Sequence, residues 1–328
     1  MISRRLVALG VVVAATVAAC TTEQSSNPAP TLTSTTSTTS TTTTTTPTTT
    51  TVPPKPTTTV AQTTTSLPSG PADVEVPLLI GGAQGGWLSL GAWRFDAWAE
   101  AVDSAGDPVT PTIGPGTAVT VSNLGSDKLG KLGTYTEACF DGRVGPTVDV
   151  TVPAPDPPSF GYGAVALPTP SWDLEPRPLA VLATGPAAYE QLGAAAFSGD
   201  PVDGTQGAVT QLVVTDLDGD GDDEALVVYE YIQPDSIRGA PGDFAALLLV
   251  DATTRTSSTV LKSFVDQNLG ANELPLIERF RVVDVADYNG DGRMEVAVHS
   301  WYYEGASVTV FEYDGTELTQ VLSAGCGA

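Results

Sequence analysis

Residues 211–231 read QLVVTDLDGDGDDEALVVYEY and residues 281–303 read RVVDVADYNGDGRMEVAVHSWYY, and these two stretches decide how the chain folds. Each consists of an apolar run, an acid-rich turn and a second apolar run. The polar positions of loop 1 (residues 216–224) and loop 2 (residues 287–295) match in order: Asp216, Asp218, Asp220, Asp222 and Glu224, then Asp287, Asn289, Asp291, Arg293 and Glu295. The copies start 71 residues apart, from 216 to 287, so one unit occurs twice, with room for an insertion such as residues 234–243.

Both loops have the composition of a calcium site. Side-chain oxygens stand at positions 1, 3 and 5, a glycine at position 6 permits a sharp turn, and position 9 is a carboxylate. The residues at position 7, Asp222 and Arg293, would offer their main-chain carbonyls. Calcium suits such a loop because it accepts about six to eight oxygens in flexible geometry, whereas magnesium requires a tight octahedron. We predict two Ca²⁺ sites, of which loop 1, with more acids, is the tighter.

The alternative is a pair of acidic hairpin turns that hold no metal. Six acids between Asp216 and Glu224 disfavour it, because they would repel one another strongly without a cation.

The position of the last acid in the loop distinguishes two families of calcium-binding loop. An EF-hand or dockerin loop ends on an acid at position 12, but that position is Val227 in one copy and Val298 in the other. The acid at position 9 and the strand-like flanks resemble the FG-GAP or VCBS repeat, the calcium loop of β-propeller blades such as those of integrin α chains. The resemblance implies a compact or partial propeller-like architecture, since residues 72–328 are too few for a ring of six or seven blades.

The rest of the folded region predicts a mainly β protein. Runs rich in Val, Tyr, Leu and Thr alternate with Gly, Pro and Asp turns, and they predict strands at 117–124, 134–140, 147–152, 179–183, 211–214, 225–232, 245–250, 281–285, 295–303 and 307–313. Helices are predicted only at 186–197 and 93–102. A Pro-rich patch near 153–178 either divides an N-terminal β region, 72–160, from the repeat-containing region, 161–328, or is a surface connection within one domain.

The amino terminus has the form of an export signal. Arg4 and Arg5 precede an apolar run that is too short to span about 30 Å of hydrocarbon. The sequence VAAC at 17–20 resembles the lipobox of bacterial lipoproteins, which implies a signal peptide at 1–19 and acylation of Cys20. The predicted location is the cell envelope, with a lipid anchor in the outer face of the cytoplasmic membrane or at the cell surface. A secretory signal with an incidental Cys is the alternative.

Residues 20–71 are rich in Thr, Ser and Pro, with almost no large apolar side chain. Such a segment cannot bury enough surface to offset the entropy of ordering, so we predict a disordered linker that holds the body away from the membrane. Its threonines are either O-glycosylated or unmodified.

Charge and composition exclude several functions. The chain has 38 Asp and Glu against 14 Lys and Arg, a net charge of -24, which leaves little material for a basic, nucleic-acid-binding face. One His and three Cys provide neither a His-based triad with a recognisable motif nor a Cys–His zinc site.

Two cysteines remain if Cys20 is acylated. An exported protein meets an oxidising compartment, so we predict a Cys139–Cys326 disulfide, and two free thiols are the alternative.

Three functions fit these predictions. The first is a non-enzymatic, calcium-stabilised surface module that binds an extracellular protein or glycan. The second is a polysaccharide-active hydrolase, because glycosidases need only two carboxylates and this chain has many. The third is a structural envelope protein without a dedicated ligand.

Overall fold

The computed structural model describes residues 75–81, 87–101, 113–137, 144–150, 163–270 and 272–327, all of which belong to one compact unit. The predicted signal peptide, Cys20 and the predicted linker lie outside the described residues. The elements in chain order are β1 (Val76–Gly81), β2 (Trp87–Arg94), β3 (Ala97–Glu100), β4 (Ala118–Ser122), β5 (Lys128–Glu137), β6 (Val144–Val150), β7 (Val165–Pro168), β8 (Ala180–Leu182), α1 (Ala187–Ala196), a 3₁₀ turn (Gly204–Gln206), β9 (Ala208–Thr215), β10 (Glu224–Tyr231), β11 (Phe244–Asp251), β12 (Ser257–Phe264), β13 (Arg279–Ala286), β14 (Glu295–Tyr302), β15 (Gly305–Tyr313) and β16 (Leu318–Gly327).

These strands form three antiparallel sheets, which confirms the mainly β prediction. The N-terminal sheet has the order β3-β2-β1-β7-β4-β5-β6, the first repeat sheet β12-β11-β10-β9-β8, and the second repeat sheet β13-β14-β15-β16. Within the described residues, none of the three sheets closes on itself.

The two repeat sheets are built alike. Each contains four consecutive strands in chain order, β9–β12 and β13–β16, and β13 begins 71 residues after β9, at 279 against 208. Loop 1 connects β9 to β10, and loop 2 connects β13 to β14. The repeated sequence unit is therefore also a repeated structural unit, with the acid-rich loop at the same corner of each sheet.

The second repeat sheet lies between the other two sheets. One of its faces packs on the first repeat sheet in a cluster that includes Val228, Leu247, Val282, Val296 and Phe311. The other face packs on the N-terminal sheet in a cluster that includes Leu78, Leu90, Val283, Val310 and Leu322. Burial of both faces explains the near-continuous apolar run of β14. Strands β10 and β11 have similar runs because their second face packs on α1.

Helix α1 covers the outer face of the first repeat sheet, and it confirms the helix predicted at 186–197. Its residue Gly193 lies so close to the Tyr229 ring that an added Cβ would meet Cγ of that ring at 2.3 Å. Tyr229 is buried and its hydroxyl donates to the Gly204 carbonyl at 2.7 Å, which fixes the ring beneath the helix.

The helix predicted at 93–102 is wrong, because the described part of this segment, up to residue 101, contains the end of β2 and all of β3, joined by a two-residue turn. Phe95 and Asp96 at the turn have positive φ angles of 53° and 55°, the left-handed backbone typical of a tight hairpin. Trp93 and Trp98 face each other across the two strands with ring centroids 5.0 Å apart. This cross-strand aromatic pair favours the hairpin over the predicted helix.

Strand β7 follows the predicted boundary at 160/161, and it lies in the N-terminal sheet between β1 and β4. The N-terminal sheet is thus completed by a strand from the repeat-containing region. Cys326 near the end of β16 is disulfide-bonded. Its predicted partner, Cys139, lies outside the described residues, so the pairing stays a prediction.

Candidate metal centre

Loop 1 is folded around the carboxylate of Asp216. Its oxygens accept hydrogen bonds from the amides of Gly219, at 2.6 Å, and Gly221, at 3.0 Å. Both glycines have positive φ angles, 81° and 96°, which allow the chain to turn tightly about this side chain. One carboxylate oxygen from each of Asp216, Asp218 and Glu224 lies within 4.8 Å of the others, close enough to share a cation.

Glu224, the first residue of β10, closes loop 1. Its side chain is buried, and Oε2 accepts a hydrogen bond from the Leu217 amide at 2.8 Å. Burial raises the pKa of Glu224 to about 7, and the nearby charges of Asp218 and Asp216 add to the rise. A bound cation would remove this cost by offsetting the charge.

Loop 2 repeats this pattern of hydrogen bonds. Asp287 accepts from the amides of Gly290, at 2.7 Å, and Gly292, at 2.9 Å, and Glu295 accepts from the Tyr288 amide at 2.8 Å. In both loops, therefore, position 1 accepts from positions 4 and 6, and position 9 accepts from position 2. The loops share a three-dimensional form as well as a sequence.

Loop 2 is buried more deeply than loop 1. Asp287, Asn289 and Glu295 are 3%, 1% and 0% exposed. Burial raises the pKa of Asp287 to about 6 and the pKa of Glu295 well above its usual range. The second carboxylate oxygen of Glu295, Oε1, is buried without a hydrogen-bond partner. A buried acceptor of this kind is costly unless something positive lies beside it, so the donor set of loop 2 fits a hard cation.

In loop 1 the structure brings three of the five predicted ligand side chains together. Asp216, Asp218 and Glu224 converge, whereas Asp220 and Asp222 are exposed. Asp222 accepts a hydrogen bond from the Thr253 hydroxyl at 3.1 Å, so its side chain is engaged by the β11–β12 turn.

In loop 2 the side chains at positions 3 and 5 hold the turn. Asn289 accepts from the Asp291 amide at 2.9 Å, and Asp291 accepts from the Arg293 amide at 2.8 Å. The charge of Arg293 reaches loop 1: burial raises the pKa of Asp218, and Arg293 partly opposes that rise. Within the described residues, loop 2 does not bring three carboxylates together as loop 1 does.

Arg177 connects the two loops, and sequence reasoning did not find it. Its guanidinium donates to three main-chain carbonyls: from Nε to Asp216, from Nη2 to Leu217 at 2.8 Å, and from Nη1 to Gly292 at 2.8 Å. The first two acceptors belong to loop 1 and the third to loop 2. The only sequence signal was a single basic residue between Pro176 and Pro178 in a strongly acidic part of the chain.

The segment before Arg177 also contacts loop 2. The Trp172 indole Nε1 donates to the Asp287 carbonyl at 2.8 Å, and the Leu174 carbonyl accepts from the Asp287 amide at 2.8 Å. Part of the Pro-rich patch therefore lies along both loops, where it fixes the position of the residue that opens loop 2.

A second candidate site lies at the other end of the repeat strands. Residues 233–240, which follow β10, and Tyr303, which follows β14, line an open cavity of about 510 Å³. The Arg238 guanidinium lies 4.1 Å from the centre of the Tyr303 ring. Since loops 1 and 2 precede β10 and β14, the cavity and the loops are at opposite ends of the same two strands.

The wall of this cavity is preformed. The buried carboxylate of Asp243 accepts three hydrogen bonds, from the Gln233 amide, the Ser236 hydroxyl and the Ala240 amide. Among the residues that line the cavity, Asp235 is the one carboxylate.

Comparison with known protein families found no family model that matches the chain. Comparison with curated proteins and with solved structures likewise gave no match. In the described part of the chain, no helix is long and apolar enough to cross a membrane.

Proposed function

We propose that this protein is a lipid-anchored cell-surface module whose two FG-GAP/VCBS-like loops bind calcium, in a propeller-like arrangement of sheets. Its role is to bind an extracellular protein or glycan without catalysis. The anchor is the acylated Cys20, and residues 20–71 hold the body away from the membrane.

The calcium part of the proposal is supported chiefly by the match between the loops. Both loops use position 1 to shape the turn and position 9 to close it, and both place a buried carboxylate at position 9. The unpartnered Oε1 of Glu295 is the observation that most favours an ion over an empty acidic turn.

The cavity beside Tyr303 is the candidate ligand surface. An exposed aromatic ring with a stacked guanidinium offers an apolar face and hydrogen-bond donors together, which suits a sugar ring or a peptide side chain. A glycosidase needs two carboxylates about 5 to 9.5 Å apart, and this cavity is lined by one. That observation favours binding over hydrolysis.

Calcium binding is tested with the full chain carrying Cys20→Ser. We expect calorimetry to show two ions bound and thermal melting to shift upward with Ca²⁺, with EGTA as the control. Asp220→Ala and Asp291→Ala should each remove one ion. No uptake in the parent protein, with unchanged melting in both variants, would rule out the calcium sites.

The ligand surface is tested on a glycan array. Binding should be lost in Arg238→Met and Tyr303→Ala and kept in Phe95→Ala, which removes an exposed aromatic ring elsewhere. Turnover of a bound glycan would instead identify a hydrolase, and equal binding by all three variants would place the ligand on another surface.

A further inference from the structure

We propose that the two loops bind calcium with positive cooperativity and that Arg177 is the residue that couples them. The inference rests on the calcium sites proposed above, and it concerns how occupancy of one loop affects the other.

Two hydrogen bonds and the intervening main chain connect the two closing carboxylates. The Glu224 carboxylate accepts a hydrogen bond from the Leu217 amide at 2.8 Å. The Leu217 carbonyl in turn accepts one from the Met294 amide at 2.9 Å. Met294 is fully buried and immediately precedes Glu295, the carboxylate that closes loop 2. The main chain of only two residues, Leu217 and Met294, therefore separates the position-9 carboxylate of one loop from the residue that carries that of the other.

Arg177 holds this connection in place from the side. It donates to the Leu217 carbonyl, which also binds Met294, and to the carbonyl of Gly292 at the sharp turn of loop 2. Arginine suits this role because its planar fork of donors reaches several acceptors at once. A lysine at this position would keep the charge but would have a single nitrogen to share among three carbonyls.

The coupling is positive because the first ion reduces the entropy cost of ordering the loop that binds the second. A cation in loop 1 fixes Asp216, Glu224 and, through them, the carbonyls that hold Arg177. The turn of loop 2 is then already ordered, so the second ion pays less conformational entropy. By linkage, an ion in loop 2 favours binding to loop 1 by the same factor.

Electrostatics acts in the opposite direction. An ion in one loop reduces the negative charge that attracts the second ion, but salt screens that effect, whereas the hydrogen bonds through Arg177 are half-buried. Cooperativity should therefore increase, not decrease, when the ionic strength is raised to about 0.5 M.

Calcium titration of the full chain with Cys20→Ser tests the proposal. We expect two ions and a Hill coefficient between 1 and 2. In Arg177→Lys and Arg177→Met, two ions should still bind, with a Hill coefficient of about 1 and a loss of at least about five-fold in affinity for the second ion. Arg281→Met, which removes an exposed arginine from β13, should behave as the parent.

Single-loop variants provide a test that leaves Arg177 in place. In Asp220→Ala, loop 2 should bind its ion about five-fold or more weakly than it does when loop 1 is filled, and Asp291→Ala should weaken loop 1 by the same factor. A parent protein that binds two ions with a Hill coefficient of 1, and unchanged affinities in these two variants, would overturn the coupling and leave the calcium sites intact. An absence of calcium uptake would overturn both proposals.

Discussion

The main-chain amide of Met294 donates to the carbonyl of Leu217 at 2.9 Å, so a peptide hydrogen bond joins two loops that lie 71 residues apart in the sequence. The contact exists because the second repeat sheet packs face to face on the first, which aligns the equivalent corners of the two sheets. The acid-rich loops are therefore one paired centre, and a change in either is expected to affect the other.

Loop 1 is expected to fill before loop 2. It carries six acids, whereas loop 2 carries Asp287, Asp291 and Glu295 together with the positive charge of Arg293. Calcium titrations of Asp220→Ala and Asp291→Ala compare the two loops, and the variant that retains loop 1 should have the tighter site. The indole of Trp172 contacts Asp287, and the chain has five tryptophans, so the part of the calcium-dependent fluorescence that Trp172→Phe removes reports on loop 2. A signal from Trp172 at the lowest calcium concentration would contradict the order.

Glu295→Gln should have opposite effects with and without calcium. In EGTA at neutral pH the variant should melt at a higher temperature than the parent, because glutamine keeps an acceptor for the Tyr288 amide and removes an acid whose pKa burial raises well above its usual range. In saturating calcium it should melt at a lower temperature, since loop 2 loses a ligand. Glu317→Gln, at an exposed glutamate, is the matched control. A lower melting temperature in both buffers would contradict a destabilising role for the Glu295 charge.

Asp284 should make the protein less stable as the pH rises. Its fully buried carboxylate accepts hydrogen bonds from the Ser122 hydroxyl at 3.0 Å, the Leu124 amide at 2.9 Å and the Tyr288 hydroxyl at 2.8 Å. Burial raises its pKa to about 7, although these donors oppose the rise. Between about pH 4 and about pH 7, the folded chain holds a proton that the unfolded chain has released.

The free energy of unfolding should then fall by up to about 1.4 kcal/mol per pH unit in that interval. Glu224, Asp287 and Glu295 also have raised pKa values and add to the slope in EGTA. Asp284→Asn should therefore make the slope shallower by up to this amount, whereas Asp235→Asn, at an exposed aspartate, should leave it unchanged. Urea unfolding in EGTA from about pH 5 to about pH 8 measures the slope. Parallel curves for the parent and Asp284→Asn would show that the carboxylate is already ionised in the folded protein.

Gly193→Ala should destabilise the protein although alanine favours helices. The added methyl group would meet the Tyr229 ring at 2.3 Å, and that ring is held by its hydrogen bond to Gly204. We expect a loss of about 1 to 3 kcal/mol, larger than the helix-propensity gain of about 1 kcal/mol. Gly114→Ala, where an added Cβ meets no atom within 4 Å, should change little. Equal urea midpoints for the two variants would contradict the close packing of α1 on β10.

The sequence was most informative where structure depends on local spacing. Strands β9, β10, β13 and β14 and the two loops follow from alternating apolar runs around a fixed pattern of acids, and the structure places them as predicted. The convergence of Asp216, Asp218 and Glu224 likewise depends on nine consecutive residues. The ion itself stays a prediction.

Contacts between distant segments could not be predicted in this way. Arg177 contacts residues 39, 40 and 115 positions away, and no local pattern records such a partner. Asp284 gave no signal either, because one acid in a strand usually faces solvent and here it is buried against the β4–β5 turn. The hairpin near Trp93 was missed because Phe95 occupies a turn position with positive φ, where Gly, Asn and Asp are the usual residues.

Strand β7 pairs with β1 on one side and with β4 on the other, so the middle of the N-terminal sheet comes from residues 165–168. During synthesis, which runs from the amino terminus, β1 and β4 emerge before the strand that pairs with both of them. Unpaired edges of this kind attract other strands, including those of neighbouring chains. A chain from which residues 165–168 have not yet emerged thus exposes the edges of β1 and β4 to association with a neighbour.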